Sequence, residues 1–318
     1  MAAAYSHFRV ELPFALAMGC LATLAAPALA QTAGPQPQEE TLEDGQVVTR
    51  ITPGQRPKAI PLAPRASDAK RDDAGPNNPI IPEVASVLAI LAHPDDELIM
   101  APVLARIARE KGEVTLVFAT SGDAGPGNSG LEPGAKLATL RENEARCSAF
   151  ALGIEEPIFW RFGDGTLAGE ARNTQSQMRD MSERIAGLIA LQKPNVIMTW
   201  GPDGGYGHAD HRITSNAVTQ VVQAMGPERP DLLYAAFPAA SDPEEGELAG
   251  FDGWARLHPS LVTNSISYEL PDLDATIAAV DCYESQFAAA PRRVLAGTLH
   301  ERIWRGQVPF RLAFPRER

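Results

Sequence analysis

The chain has 318 residues, of which 28 are basic and 40 acidic, for a formal net charge of −12. That balance excludes the positive field that a nucleic-acid or anionic-membrane partner needs. Hydrophobic residues, at 44%, suffice for a sizeable core, while three cysteines are too few for a disulfide scaffold and are not spaced as a cysteine-based zinc site.

Residues 1–30 read as a cleavable signal peptide. Arg9 precedes an apolar stretch from Leu12 to Ala30 that closes with Ala28-Leu29-Ala30 before Gln31. Pro13 and Pro27 make the stretch a poor membrane helix, so no stable span is expected after cleavage and the mature protein is expected in the periplasm or outside the cell. Cys20, after Ala17-Met18-Gly19, leaves lipoprotein anchoring as a lesser alternative. Residues 31–83, with nine prolines between Gln31 and Pro82, are expected to form a disordered tail or linker. A single domain is expected over 84–318. Cys147 and Cys282 fit either buried free thiols or one disulfide.

From Ala85 onward, short apolar runs alternate with amphipathic segments. Ala85–Ala92, Val114–Ala119, Pro157–Phe162 and Asn195–Trp200 read as buried strands. Glu97–Lys111, Ala135–Leu152 and Asn173–Gln192 read as helices, with Gly112 and Gly153 as stops. This alternation predicts an α/β, Rossmann-like fold whose mostly parallel sheet is covered by helices on both faces. Farther on, Asp231–Phe237 and Asn264–Leu270 read as strands, and Asp272–Ala289 as a helix.

Ligands of such sheets sit beyond the carboxyl ends of the strands. The first run passes directly into Ala92-His93-Pro94-Asp95-Asp96-Glu97, and the fourth into Trp200-Gly201-Pro202-Asp203-Gly204-Gly205-Tyr206-Gly207-His208-Ala209-Asp210-His211. Proline followed by three acids also suits an ordinary helix start. Two strand ends that both carry His and Asp clusters outweigh that explanation. His93, Asp96 and His211 supply three nitrogen and oxygen ligands and leave a fourth position for water, the arrangement of a catalytic zinc. Another divalent metal fits the same donors. Asp95 is the candidate general base, His208 and Tyr206 candidate donors to an oxyanion or leaving amine, and Asp210 a candidate to orient a loop histidine.

These two motifs resemble the PIG-L (LmbE-like) zinc deacetylases. The resemblance continues through Thr120-Ser121-Gly122-Asp123-Ala124-Gly125, Arg141-Glu142-Asn143-Glu144-Ala145 and Gly163-Asp164-Gly165-Thr166-Leu167, covering about Ala85 to Val222 in family order. It implies a Rossmann-like fold and zinc-dependent hydrolysis of an N-acetyl group, usually on an N-acetylglucosamine-type sugar. It further implies His93, Asp96 and His211 as zinc ligands and Asp95 as base. His208 matches a transition-state stabiliser or acid, Tyr206 a tyrosine near the oxyanion, and Arg141 a substrate-contacting arginine. Asp164 matches the family's loop motif and is a second candidate substrate contact. For Arg141 the alternative is a helix ion pair with Glu142 or Glu144, and for Asp164 a turn. Glu97 and Asp123 read as structural.

The Gly- and Pro-rich stretch Asp123–Gly134 departs from the family pattern and suggests a specialised pocket wall. His258 and His300 read as structural, and Trp254, Trp304 and Tyr283 as packing or a sugar platform. The function expected is removal of an acetyl group from an N-acetylated sugar. A zinc amidase or esterase for a larger acyl group, and a non-catalytic glycan-binding protein, stand as rivals. A dinucleotide-binding protein is disfavoured because His93-Pro94-Asp95 stands where its glycine-rich turn belongs.

Overall fold

The computed structural model describes residues 38–41, 47–50, 85–169, 177–226, 228–237 and 257–315. The signal-peptide reading of residues 1–30 and the place of Trp254 lie outside these. Two units divide the chain, Met1–Asp72 and Asp73–Arg318. In the first, β1 (Gln38–Thr41) and β2 (Val47–Arg50) pair antiparallel, so these residues of the stretch expected to be disordered form strands instead.

The second unit is built on a seven-stranded sheet in the order β5-β4-β3-β6-β7-β9-β8. Its strands are β3 (Ser86–Leu91), β4 (Glu113–Thr120), β5 (Ile158–Phe162), β6 (Val196–Trp200), β7 (Asp231–Ala235), β8 (Asn264–Ser267) and β9 (Gln307–Leu312). Neighbours from β5 to β7 run parallel, and β9 lies antiparallel to both β7 and β8. The sheet is thus mostly parallel, as the alternation of elements predicts. Strand β9 escapes sequence reading because Pro309 interrupts its apolar run.

The helices are α1 (Ala101–Arg109), α2 (Ala135–Ala151), α3 (Gln177–Gln192), the single turn α4 (Gly204–Gly207), α5 (Ala209–Gln223), α6 (Leu270–Asp281) and α7 (Ala289–Leu299). Side chains alternate across a strand, which sorts the core into two layers. Val87, Ala89 and Leu91 of β3 join the layer under α1, α2 and α6, whereas Leu88 and Ile90 join the layer under α3 and α5. Among the described residues no helix is long and apolar enough to cross a membrane.

One predicted helix is divided and another is shorter than expected. Glu97–Lys111 becomes a 3₁₀ turn, Asp96–Ile99, and then α1, with Met100 outside helical geometry and Pro102 in the first turn of α1. The helix expected over Asp272–Ala289 is α6 and ends at Cys282, and α7, with Pro291 in its first turn, follows where no helix was expected. A disulfide joins Cys147 of α2 to Cys282, their Cα atoms 5.7 Å apart.

Successive connections leave β3 towards β4 on one side and reach β6 on the other. The crevice between the carboxyl ends of β3 and β6 is therefore the switch point of the sheet, where such folds bind ligands. Both His/Asp clusters open into it.

Candidate metal centre

The loop after β3 is shaped by Asp96. Its Oδ2 accepts from the backbone N–H groups of Ala92 at 3.0 Å and His93 at 2.9 Å. The turn points Oδ1 at His211 Nε2, 3.0 Å away. His93 Nδ1 lies 3.2 Å from His211 Nε2 and 3.8 Å from Asp96 Oδ2. All three side chains are buried, His211 completely.

The proton positions follow from what the other ring nitrogens face. His211 Nδ1 lies 3.1 Å from the Gly204 carbonyl oxygen, so it carries the hydrogen. His93 Nε2 faces Asp164 Oδ1 at 3.0 Å and Asp210 Oδ2 at 3.4 Å, so it carries the hydrogen there. Two imidazole nitrogens and a carboxylate are left facing one another, a donor set suited to a cation. Burial lowers the His93 pKa, but hydrogen bonds to Asp164 and Asp210 and the charge of Asp96 outweigh it and raise it to about 10, so the metal-free ring carries a second proton, on Nδ1, that a bound cation would displace. The same histidines hold Asp96 well below the ordinary carboxylate range despite its burial.

Zinc bound tetrahedrally by nitrogen and oxygen places its ligand atoms about 3.3 Å apart. The His93–His211 separation of 3.2 Å and the His211–Asp96 Oδ1 separation of 3.0 Å lie near that value, and Asp96 presents its other oxygen to His93 at 3.8 Å, so the donor chemistry of the three residues suits the metal. Two other donor groupings share His93: His93 with His208 and His211, and His93 with Asp164 and Asp210. The second lies on the far side of the His93 ring and serves to fix its tautomer.

The remaining candidates surround this cluster. Asp95 sits in left-handed backbone geometry with φ 101°, an arrangement that costs about 1–3 kcal/mol for a non-glycine residue. Its backbone N–H donates to Glu97 Oε2 at 3.1 Å, and its Oδ2 is 3.3 Å from Arg141 Nη2. Burial raises its pKa to about 7, although the Arg141 charge pulls the other way. His208 caps α5, its Nδ1 accepting from the Asp210 N–H at 3.2 Å, so Nε2 keeps the hydrogen and is the donor. Burial, together with the charges of His93 and His211, lowers the His208 pKa to about 4, leaving the ring neutral at pH 7. Tyr206, 37% exposed, stands edge-on to His211 with ring centres 5.2 Å apart, at the rim.

Arg141 is buried at 4% exposure. Besides Asp95 it donates to the carbonyl oxygens of Pro94 at 2.6 Å and Gly122 at 3.2 Å. A Cβ on Gly122 would stand 2.3 Å from this guanidinium, so the arginine runs through a slot that glycine keeps open. Its helix neighbours are engaged elsewhere, Glu142 with Arg161 and Arg146 and Glu144 with Ser285. Asp164 bridges His93 to the Ala124 N–H at 3.1 Å, and Asp210 Oδ2 accepts from the Gly165 N–H at 2.6 Å.

All nine residues singled out in the sequence converge on this crevice. Sequence reading missed three contributors. Trp200 stacks flat on His211 with ring centres 4.7 Å apart, and its place at the end of β6 was the available signal. Glu97 touches the backbone of Asp95, and Tyr283 reaches Glu97 from the far end of the chain with no motif to announce it. His258 and His300 lie elsewhere, the first accepting from the Ser260 N–H and the second bonded to the Tyr268 hydroxyl. Trp304 and Tyr283 are core side chains, 2% and 0% exposed.

Residues 88–222 match the family model PIG-L, described as GlcNAc-PI de-N-acetylase. A 1D-myo-inositol 2-acetamido-2-deoxy-alpha-D-glucopyranoside deacetylase of Mycobacterium sp. (strain JLS) is 26% identical over 244 residues, 68% of this chain and 79% of the relative. The protein of the same name from Corynebacterium glutamicum (strain R) is 33% identical over 212 residues, 59% of this chain and 69% of the relative. Among solved structures, N,N'-diacetylchitobiose deacetylase from Pyrococcus horikoshii aligns with TM-score 0.51 and 18% identity, over 73% of this chain and 84% of that one. The zinc-inhibited form of teicoplanin deacetylase Orf2 aligns with TM-score 0.52 and 18% identity, over 71% and 97%. Those structures share the fold, and the residues that match the family model, 88–222, carry both histidine clusters. The chain belongs to the PIG-L family.

Proposed function

We propose that the protein is a zinc-dependent hydrolase that removes the acetyl group from an N-acetylated, N-acetylglucosamine-type sugar. The observation that carries this reading is the buried cluster of two imidazole nitrogens and the Asp96 carboxylate, with Asp95 beside it. The relatives named for deacetylating a 2-acetamido sugar support the substrate class.

In this reading His93, Asp96 and His211 hold the zinc, which when bound activates water and polarises the amide carbonyl. Asp95, poised near neutrality, takes the proton of the attacking water. His208 Nε2–H donates to the oxyanion as it develops, and the Tyr206 hydroxyl is placed at the same rim. Asp164 and Asp210 hold the Nε2 proton on His93 and so leave Nδ1 as the atom the ring offers to the metal. Arg141, spent on the Pro94 carbonyl and the Asp95 carboxylate, aims the base; the substrate contact expected from its family position remains a further proposal. The amine leaves with the proton that Asp95 acquired.

Export is part of the proposal. The signal-like N-terminus and the Cys147–Cys282 disulfide both suit an oxidising compartment, the periplasm or the exterior.

The deciding test is metal content and acetate release on N-acetylglucosamine oligomers and glycosides, for the wild type, Asp95→Ala and His211→Ala. One zinc per chain is expected, with acetate release lost in both variants and metal lost mainly in His211→Ala. Zinc without acetate release on any N-acetyl sugar would sink the substrate class, and release of a larger acid would favour the wider-pocket rival.

A further inference from the structure

The segment after α6, Cys282–Gln286, lies beyond residues 88–222 that match the family model, yet it reaches the crevice at three points. Tyr283 is fully buried and donates its hydroxyl to Glu97 Oε1 at 2.6 Å. Ser148 Oγ donates to the same oxygen at 2.5 Å. The other oxygen, Oε2, holds the N–H of Asp95. Next along the segment, Ser285 donates to Glu144 of α2 through its N–H at 2.7 Å and its hydroxyl at 2.5 Å.

The third point is the Gly- and Pro-rich wall. The Ser285 carbonyl accepts from the Asn128 N–H at 2.5 Å, and the Gln286 carbonyl accepts from Asn128 Nδ2 at 3.2 Å. Gln286 Nε2 in turn donates to the Gly125 carbonyl at 3.2 Å. A Cβ on Gly127, at φ +48°, would stand 2.3 Å from the Ser285 carbonyl oxygen, so only glycine permits the approach. Both donors to Glu97 adjoin a bridged cysteine: Ser148 follows Cys147, and Tyr283 follows Cys282.

A strained residue persists only where its surroundings over-determine it. Asp95 has its carboxylate fixed by Arg141 and its N–H fixed by Glu97, and Glu97 is fixed in turn by Tyr283 and Ser148. We propose that Cys282–Gln286 is a strap that positions Asp95 and the wall at Gly125–Asn128, that Tyr283 is a positioning residue for the hydrolysis, and that the Cys147–Cys282 bond holds the strap on α2. This rests on the reading of Asp95 as the base.

The test compares the wild type with Tyr283→Phe, which keeps the ring and removes the hydroxyl, and with the double variant Cys147→Ser/Cys282→Ser. Each is measured for kcat and KM, zinc content, thermal midpoint, and amide hydrogen exchange over residues 93–97 and 123–134. Tyr283→Phe is expected to lower kcat roughly tenfold, the scale seen when a partner of a reacting or ligating group is lost. KM and zinc content should hold, and exchange over 93–97 should quicken. The double variant should quicken exchange over both stretches. Unchanged exchange in Tyr283→Phe would overturn the strap whether or not the wild type releases acetate. A fall in kcat that only follows the unfolded fraction would overturn it too. If the wild type releases no acetate while exchange still quickens in both variants, the strap stands and the hydrolase reading fails.

Discussion

The two faces of the sheet are held by different means. Under α3 and α5 the packing is mainly apolar: Met181, Ile185 and Ile189 of α3 and Ala217, Val218 and Val222 of α5 close over Leu88, Ile90 and Ile197, with the Thr219–Tyr234 and Gln220–Ser182 bonds as polar links. Under α1, α2 and α6 an apolar layer is crossed by polar links, most of them buried. These are Glu97 with Ser148 and Tyr283, Glu144 with Ser285, Arg109 with Asp272, and the disulfide. Apolar packing is non-directional and tolerates small shifts, whereas hydrogen bonds fix atoms to a fraction of an ångström. The stitched face is the one that carries the strained Asp95. The lesson is that precision is concentrated where an atom must be aimed.

The largest effect that sharpens this contrast is expected at Asp95 itself. Asp95→Asn should lower kcat by about 10²–10⁴-fold, the usual contribution of a positioned general base, while zinc content and the thermal midpoint stay near wild type. Steady-state kinetics beside metal analysis decides it; a fall of less than tenfold would move the base elsewhere. On the apolar face, Ile185→Ala should cost about 2–5 kcal/mol of stability through lost burial and a residual cavity, with kcat per folded molecule unchanged. Urea unfolding with activity measured in parallel checks this. A kcat loss there would mean that the apolar face also aims the site.

An intermediate effect concerns pH. Burial raises the Glu97 pKa from the ordinary 4.5 to about 7, outweighing its bonds from Ser148 and Tyr283. Between those values the unfolded chain has released the proton and the folded chain still holds it, so stability falls as pH rises from 4.5 to about 7 and then levels. At one pKa unit to about 1.4 kcal/mol, the fall attributable to this group reaches about 3 kcal/mol. Thermal midpoints of the metal-free protein across this range should show the slope in the wild type and a shallower one in Glu97→Gln. Equal slopes would remove Glu97 as its source.

Much of this architecture is legible in the sequence because the relevant signals are local. The apolar runs that become β3 to β7 and the helices α2 and α3 need only short windows, and so do the clusters His93-Pro94-Asp95-Asp96 and His208-Ala209-Asp210-His211. The same windows could not show that Glu97, an apparent helix-start acid, holds the backbone of Asp95, because its partners Ser148 and Tyr283 lie 51 and 186 residues away. Pro102 broke one expected helix, another stopped at Cys282 short of its expected end, and Pro309 hid a strand that is antiparallel on both sides. Whether Cys147 and Cys282 pair was equally open, since it depends on how α2 packs on α6.

The smallest expected effect is also the most local, and it asks whether Arg141 aims Asp95 or only fills space. Gly122 has φ +66°, which costs a residue with a side chain about 1–2 kcal/mol, and its missing Cβ leaves room for the guanidinium. Gly122→Ala should therefore lower stability by about 1–2 kcal/mol and push Arg141 off the Gly122 carbonyl and the Asp95 carboxylate together. If Arg141 positions the base, kcat should fall well beyond the unfolded fraction, with zinc content intact, because no metal ligand touches this slot. Should kcat instead follow only the folded fraction, Arg141 would be a packing residue, and the aim of Asp95 would rest on Glu97 and the strap alone.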